Sequence, residues 1–159
     1  RPVMAISITL QEYMKNQGVN FDLEHHRHTF NSASTAEAAH VPGADLAKGV
    51  LVDDGMGYLL AVIPATHRLN LEMLRRTLHR PVELATEGEL EDLFPDCEIG
   101  AVPPLGSAFG LETVVDQELM GRPDIWFEAG DHEDLVHISG ASFRSLMGSA
   151  TRAEISTQR

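Results

Sequence analysis

The chain has 159 residues, 43% hydrophobic and 23% charged, which is enough for one folded domain and too apolar for a disordered segment. Twelve basic and twenty-four acidic residues give a net charge of −12, which excludes non-specific coating of DNA or RNA but leaves room for a local pocket that grips a nucleotide end. No apolar run reaches the roughly 20 residues that cross a bilayer, and no secretory leader is recognisable. We therefore expect no DNA partner, no membrane partner and a cytoplasmic location.

Capping signals and apolar runs predict the elements of the first hundred residues. Ser, Thr or Asn side chains that can satisfy free backbone N–H groups predict helices starting at Thr9, Ser34, Asn70 and Thr86. Residues 21–28 are predicted to form a strand. Two apolar runs, residues 48–52 and 58–63, flank a glycine-rich turn and predict a β-hairpin at the centre of a sheet.

The second half of the chain predicts three more strands and a final helix. The strands are expected near residues 112–115, 124–128 and 135–138, and the helix contains Phe143 and Leu146. Helices and strands alternate irregularly around a hairpin, so the fold class is α/β or α+β, a single domain in which helices surround a mixed β-sheet. We place this domain at residues 4–148, with residues 1–3 a cloning remnant and residues 149–159 a polar tail that frays.

Lys48 is the first candidate for a functional role. It is one of two lysines among the twelve basic residues, and it lies where a polar loop enters an apolar strand. A charge at that point must reach either a cavity or the solvent. Two interpretations therefore stay open: Lys48 binds a ligand in a cavity, or it is an ordinary lysine whose ammonium group extends to the solvent. The loop at residues 100–106 has the same two interpretations: its prolines and glycines suit a binding loop or a surface connection.

Histidines and the single cysteine give weaker signals. His26 and His28 would share one face of a strand and could hold zinc with a third ligand, but no such ligand has a recognisable spacing, so we predict no metal. The acidic neighbours of Cys97 should raise its thiol pKa, which indicates a structural residue. Motifs typical of serine hydrolases, Walker-type nucleotide hydrolases and Rossmann dehydrogenases are not found in the sequence.

Four segments taken together carry a family resemblance. They are AHVPG at residues 39–43, LAK at 46–48, AVIPA at 61–65 and LFPDCEIGAVPPLG at 93–106. In this order they resemble the YbaK/ProX-type aminoacyl-tRNA deacylases, relatives of the editing insertion domain of bacterial prolyl-tRNA synthetase. The similarity extends from about residue 10 to residue 146.

The resemblance implies a function and a set of site residues. The implied reaction is hydrolysis, without a cofactor, of the ester that joins a wrong, small amino acid to tRNA. The implied partners are the acceptor end of the aminoacyl-tRNA and an aminoacyl-tRNA synthetase. Lys48 matches the functional lysine of the family, and Gly49 follows it where relatives often have Thr or Ser. The implied substrate-binding residues are His26, Gly49, Gly100, Ala101, Val102, Pro103, Pro104 and His132.

Two other functions stay open from the residues. The chain could be a binding module for a small molecule or a protein that has kept the fold without catalysis, or a hydrolase of another small ester or amide. The chemical role of Lys48 is also open between a fixed cation and a general base, which would need a pKa near the working pH.

Overall fold

The fold is built around the β-hairpin that the two apolar runs predict. A computed structural model describes residues 6–29 and 31–159. The strands in this part of the chain are β1 (Asp22–His25), β2 (Leu46–Asp53), β3 (Tyr58–Pro64), β4 (His67–Leu69), β5 (Glu83–Leu84), β6 (Glu112–Asp116), β7 (Asp124–Glu128), β8 (Asp134–Ser139), β9 (Thr151–Ala153) and β10 (Ser156–Gln158). The helices are α1 (Ile8–Gln17), α2 (Ser32–Ala39), α3 (Leu71–Leu78), α4 (Glu87–Leu93), α5 (Gln117–Met120) and α6 (Gly140–Leu146). None of these helices is long and apolar enough to cross a membrane.

Eight strands form one mixed sheet, as predicted. The order is β1-β8-β7-β2-β3-β6-β9, and β5 pairs with the last two residues of β2. The β2–β3 hairpin is antiparallel, whereas β7 runs parallel to β2 and β6 runs parallel to β3. Strands β4 and β10 form a separate two-stranded sheet.

Both faces of the hairpin are buried, which explains why its sequence is apolar at successive positions instead of alternating. On one face Leu51 belongs to the same apolar cluster as Phe143 of α6. On the other face Val52 belongs to a second cluster with Leu74 of α3 and Ile155. The hairpin therefore lies between two layers, and a charged side chain on it must be accommodated at a gap in one of them.

Two of the four predicted helix starts are confirmed and two are wrong. Those at Asn70 and Thr86 are confirmed, and those at Thr9 and Ser34 are wrong. Helix α1 begins after Ser7, whose side chain accepts the N–H of Leu10, and α2 begins after Asn31, whose side chain accepts the N–H of Ser34. The Ser7 hydroxyl also donates to Asp96 at 2.7 Å. This contact between distant residues selects one of several residues that could cap α1.

The expectation that residues 149–159 fray is wrong. Strand β9 runs parallel to β6, and β10 pairs antiparallel with β4. Ile155 is fully buried between them, and the Asp116 carboxylate accepts hydrogen bonds from the Ile155 N–H and the Ser156 hydroxyl. The buried Ile155 side chain and the Asp116 carboxylate of β6 therefore hold residues 149–159 in a defined position, although most of these residues are polar. Residues 1–3, predicted to be a remnant, and the predicted domain start at residue 4 lie outside the described residues.

Candidate functional site

Lys48 lies on a stretch of β2 that has a neighbouring strand on one side only. Strand β7 pairs with β2 at Leu46 and Ala47, and β5 pairs with it at Val52 and Asp53. Within the described residues, positions 48–50 therefore pair only with β3 in the sheet, since the carbonyl of Leu51 already accepts the N–H of Ala85, directly after β5. The interruption leaves space beside the backbone of the central strand, where a ligand can approach closely.

A cleft of about 240 Å³ occupies this position, and we call it the lysine cleft. It is lined by Asn31, Ser32, Ala33, Lys48, Gly49, Val50, Gly100 and Arg159. Three residues expected at the site, Lys48, Gly49 and Gly100, thus line one concavity. None of the lining residues within 6–29 and 31–159 is acidic, although the chain carries a net charge of −12.

The environment of Lys48 makes its ammonium group less stable than in water. Burial, followed by the nearby charges of Arg159 and Arg68, lowers the pKa of Lys48 to about 8. In the part of the chain that the structure describes, no carboxylate lies within ion-pair distance of the ammonium group. The amine is mainly protonated at neutral pH and available to an anionic or polarised ligand.

The start of α2 adds to the positive potential of the lysine cleft. Asn31 caps the helix, and Ser32 and Ala33 of its first turn line the cleft. Free N–H groups at a helix N-terminus carry a partial positive charge. Asn31 and Ser32 were not predicted at the site because the helix was expected to start at Ser34, and Arg159 was not predicted because the last residues were expected to fray.

Only the first residue of the predicted loop at residues 100–104 lines the lysine cleft. Gly100 has φ +84°, a left-handed conformation that glycine adopts without strain. The side chains that follow, from Ala101 to Pro104, are buried, and Val102 belongs to the main apolar cluster. These residues hold the loop in place, whereas Gly100 presents backbone to the cleft.

The two predicted histidines do not line the lysine cleft. His26 and His132 lie on either side of Glu128, and the exposed fraction of each of the three side chains is 3% or less. His132 Nδ1 is 2.6 Å from Glu128 Oε2, and His26 Nε2 is 3.8 Å from Glu128 Oε1. Sequence reasoning missed Glu128, because nothing in the spacing of these residues shows that a carboxylate separates the two rings.

Both imidazole rings face acceptors on both of their nitrogens. His132 Nε2 is 2.8 Å from the Ile99 carbonyl oxygen, and His26 Nδ1 is 2.6 Å from the Arg27 carbonyl oxygen. The contact with Glu128 is the main reason that the pKa of His26 is raised. Burial opposes protonation of His132, but Glu128 and the Ile99 carbonyl outweigh it, and its pKa is also raised. A protonated His132 donates to Ile99, the residue directly before Gly100, and so connects the buried cluster to the lysine cleft.

The metal and thiol alternatives gain no support from the geometry. No group of three or more His, Cys, Asp or Glu residues within 6–29 and 31–159 is arranged to hold a metal ion. Strand β1 ends at His25, so His26 and His28 lie beyond the strand on which they were expected to share a face. Burial and then the charge of Asp96 raise the pKa of the Cys97 thiol to about 12, the direction expected from its acidic neighbours.

Comparison with known proteins gives one family and several similar structures. The family model of the aminoacyl-tRNA editing domain matches residues 26–146. The crystal structure of hypothetical protein APE2540 has a TM-score of 0.82 at 25% identity, covering 94% of this chain and 99% of its own. Another, provisionally described as a trans-editing enzyme for prolyl-tRNA synthetase, has a TM-score of 0.81 at 23% identity, covering 96% and 99%. No protein of curated function gives a significant sequence match.

Proposed function

Because the chain belongs to the aminoacyl-tRNA editing domain family, we propose that it is a free-standing deacylase that hydrolyses the ester of tRNA mischarged with a small amino acid. The observation that carries the proposal is that Lys48 and Gly100 line one cleft without an acidic lining residue. Its partners are the acceptor end of the charged tRNA and the synthetase that makes the error.

Hydrolysis of such an ester needs few catalytic groups. An aminoacyl ester is already activated, so water serves as the nucleophile and no covalent intermediate is required. The site has to hold the carbonyl group, admit a water molecule and stabilise the negative charge that develops on oxygen. We assign the electrostatic part to the Lys48 ammonium group and the positioning of the ester to the backbone at Gly49 and Gly100. His132, which is paired with Glu128, also contacts the Ile99 carbonyl, and this contact helps to hold the backbone at Gly100 in position.

The proposed selectivity rests on the size of the lysine cleft. Ala33 and Gly100 place little or no side chain against the ligand, and Gly49 contributes backbone only, because a Cβ there would point at the buried Leu60 side chain. A small amino acid enters, whereas the larger amino acid that belongs on the tRNA is excluded by overlap. Exclusion by size is more effective than recognition of a missing methylene group, which is worth only about 1–3 kcal/mol.

The test is a panel of tRNAs charged with small and large amino acids, assayed with the wild type and with Lys48→Met and Lys15→Met. Lys15 is the exposed lysine of α1 and provides a control with the same change of charge. We expect Lys48→Met to lower kcat/KM for a small aminoacyl ester about 100-fold, the cost typical of losing one electrostatic contact to a developing oxyanion. The Lys15 variant should match the wild type. Binding of charged tRNA without turnover by the wild type would overturn the proposal and leave a binding module.

The pH dependence separates the two roles of Lys48. A fixed cation is lost as the pH rises through about 8, so the rate corrected for spontaneous hydrolysis should fall there. A general base would produce the opposite profile, rising to a plateau above pH 8. Lys48→Arg keeps the cation, so under our assignment it retains part of the activity and loses the decline above pH 8.

A further inference from the structure

A second concavity of about 390 Å³ adjoins the lysine cleft, and we call it the adjoining cleft. It is lined by Ala33, Ala36, Gly43, Ala65, Thr66, Gln158 and Arg159. Ala33 and Arg159 line both clefts, so the two spaces meet at these residues. A ligand with its reactive end in the lysine cleft can therefore extend into the adjoining cleft.

Two arginines lie in the two-stranded sheet or directly after it, and one of them, Arg159, lines both clefts. Arg68 pairs with Thr157 in the register of β4 and β10, and Arg159 follows β10 directly. The position of Arg159 is defined: its backbone N–H donates to the Thr66 carbonyl at 3.1 Å, and its Nε donates to the His67 carbonyl at 3.4 Å. Both arginines are exposed, and neither has a carboxylate within ion-pair distance among the described residues.

The lining of the two clefts differs in charge from that of two other concavities on the molecule. One concavity is lined by Asp53, Asp54 and Glu83. Another has Asp116, Glu118 and Glu154 in its lining. The lysine cleft and the adjoining cleft have no acidic lining residue, and the charges of Arg68 and Arg159 act on Lys48. Like charges that act on one another in this way repel, and an anionic ligand reduces that repulsion.

We propose that Arg68 and Arg159 bind the phosphodiester group that precedes the 3′-terminal nucleoside of the substrate, while that nucleoside occupies the adjoining cleft. The inference rests on the proposed function, because it takes the aminoacyl ester to be in the lysine cleft. The ester and the phosphate are attached to the same ribose, so with the ester in the lysine cleft and the base in the adjoining cleft, the phosphate lies near the junction of the two clefts, where Arg159 is. The planar guanidinium group pairs with phosphate oxygens through two parallel N–H donors. Local attraction of this kind explains how a chain of net charge −12 can hold a nucleic acid end.

The experiment compares two substrates that carry the same amino acid. One is aminoacyl-adenosine, which has no phosphate, and the other is an aminoacylated minihelix that ends in CCA. The variants are Arg68→Gln, Arg159→Gln and, as control, Arg152→Gln, which removes an exposed arginine of β9 that lines neither cleft and, unlike Arg68, is not among the charges that act on Lys48. We expect the ratio of kcat/KM for the minihelix to kcat/KM for aminoacyl-adenosine to fall about fivefold to tenfold in each of the first two variants. The ratio should not change in the control. Use of the ratio cancels any effect that the arginines have on Lys48.

A binding measurement with uncharged CCA-ending minihelix separates failure of this inference from failure of the proposed function. The affinity should decrease with salt, and Arg68→Gln should reduce the slope of log K against log salt by about 0.7, the value for one phosphate contact on a single strand. Arginine-dependent binding without any deacylation would refute the proposed function and keep the inference. Deacylation with a ratio and a salt slope unaffected by both variants would refute the inference and keep the function.

Discussion

Replacement of Glu128 by Gln tests the buried cluster beneath the cleft. Glu128 Oε2 is 2.6 Å from His132 Nδ1, and the second oxygen is 3.8 Å from His26 Nε2, with all three side chains buried. The amide is close in size to the carboxylate, so the change removes charge with little change in packing. Removal of one partner from a buried ion pair typically costs about 3–5 kcal/mol because it leaves a charge without compensation. We expect a loss of about 3 kcal/mol in the free energy of unfolding at pH 6.

The loss of stability in Glu128→Gln should also depend on pH. The pKa of both histidines is raised in the folded protein above the ordinary value of 6.5. A raised pKa contributes stability that is fully present below the unfolded value and is lost as the pH rises through the folded value. In Glu128→Gln this contribution is reduced, since the Arg27 and Ile99 carbonyls remain, so the difference in stability from the wild type is largest at pH 6 and decreases above pH 7.

Urea denaturation at pH 6, 7, 8 and 9 measures this difference. Glu91→Gln serves as the control, because Glu91 is an exposed residue of α4 and its substitution should change stability by less than about 0.5 kcal/mol. A Glu128→Gln penalty that stays constant from pH 6 to pH 9 would refute the charge-based account and indicate that the side chain acts only through packing.

Two further predictions concern packing and reactivity. An added Cβ at Gly140 would lie 1.9 Å from the Arg122 carbonyl oxygen, so Gly140→Ala should destabilise the protein by about 3 kcal/mol in thermal or urea unfolding. Gly88→Ala in α4 meets its first neighbour at 3.9 Å and should instead raise stability by up to about 1 kcal/mol. Cys97, with a thiol pKa of about 12, should resist iodoacetamide at pH 8 in the folded protein and react rapidly in urea; rapid reaction when folded would contradict its burial.

Local signals in the sequence were enough for the centre of the fold. The hairpin β2–β3 follows from two apolar runs around a glycine-rich turn, and the helices after Asn70 and Thr86 follow from side chains that cap within three residues. Lys48 could be identified as a candidate because a charged side chain in an apolar run must reach either a cavity or the solvent. In each case the decisive interaction is between residues that are near one another in the chain, so the pattern alone carries the information.

The remaining features depend on contacts between residues that are distant in the chain. Helix α1 starts after Ser7 partly because Asp96 holds that side chain, and the last residues are ordered because Asp116 and a buried Ile155 anchor them. No local pattern encodes such pairings, since capping residues and polar segments are common and their partners are set by topology.

The sequence by itself determined the mixed sheet, the lysine at its centre and the family to which the chain belongs. Only the tertiary structure placed Arg159 beside Lys48, Asn31 at the rim of the same cleft, and Glu128 between His26 and His132. The physical reason is that the periodicity of apolar residues indicates which face of a helix or strand is buried and which face is exposed. The electrostatic environment of a site is instead the sum over every element that folds against it.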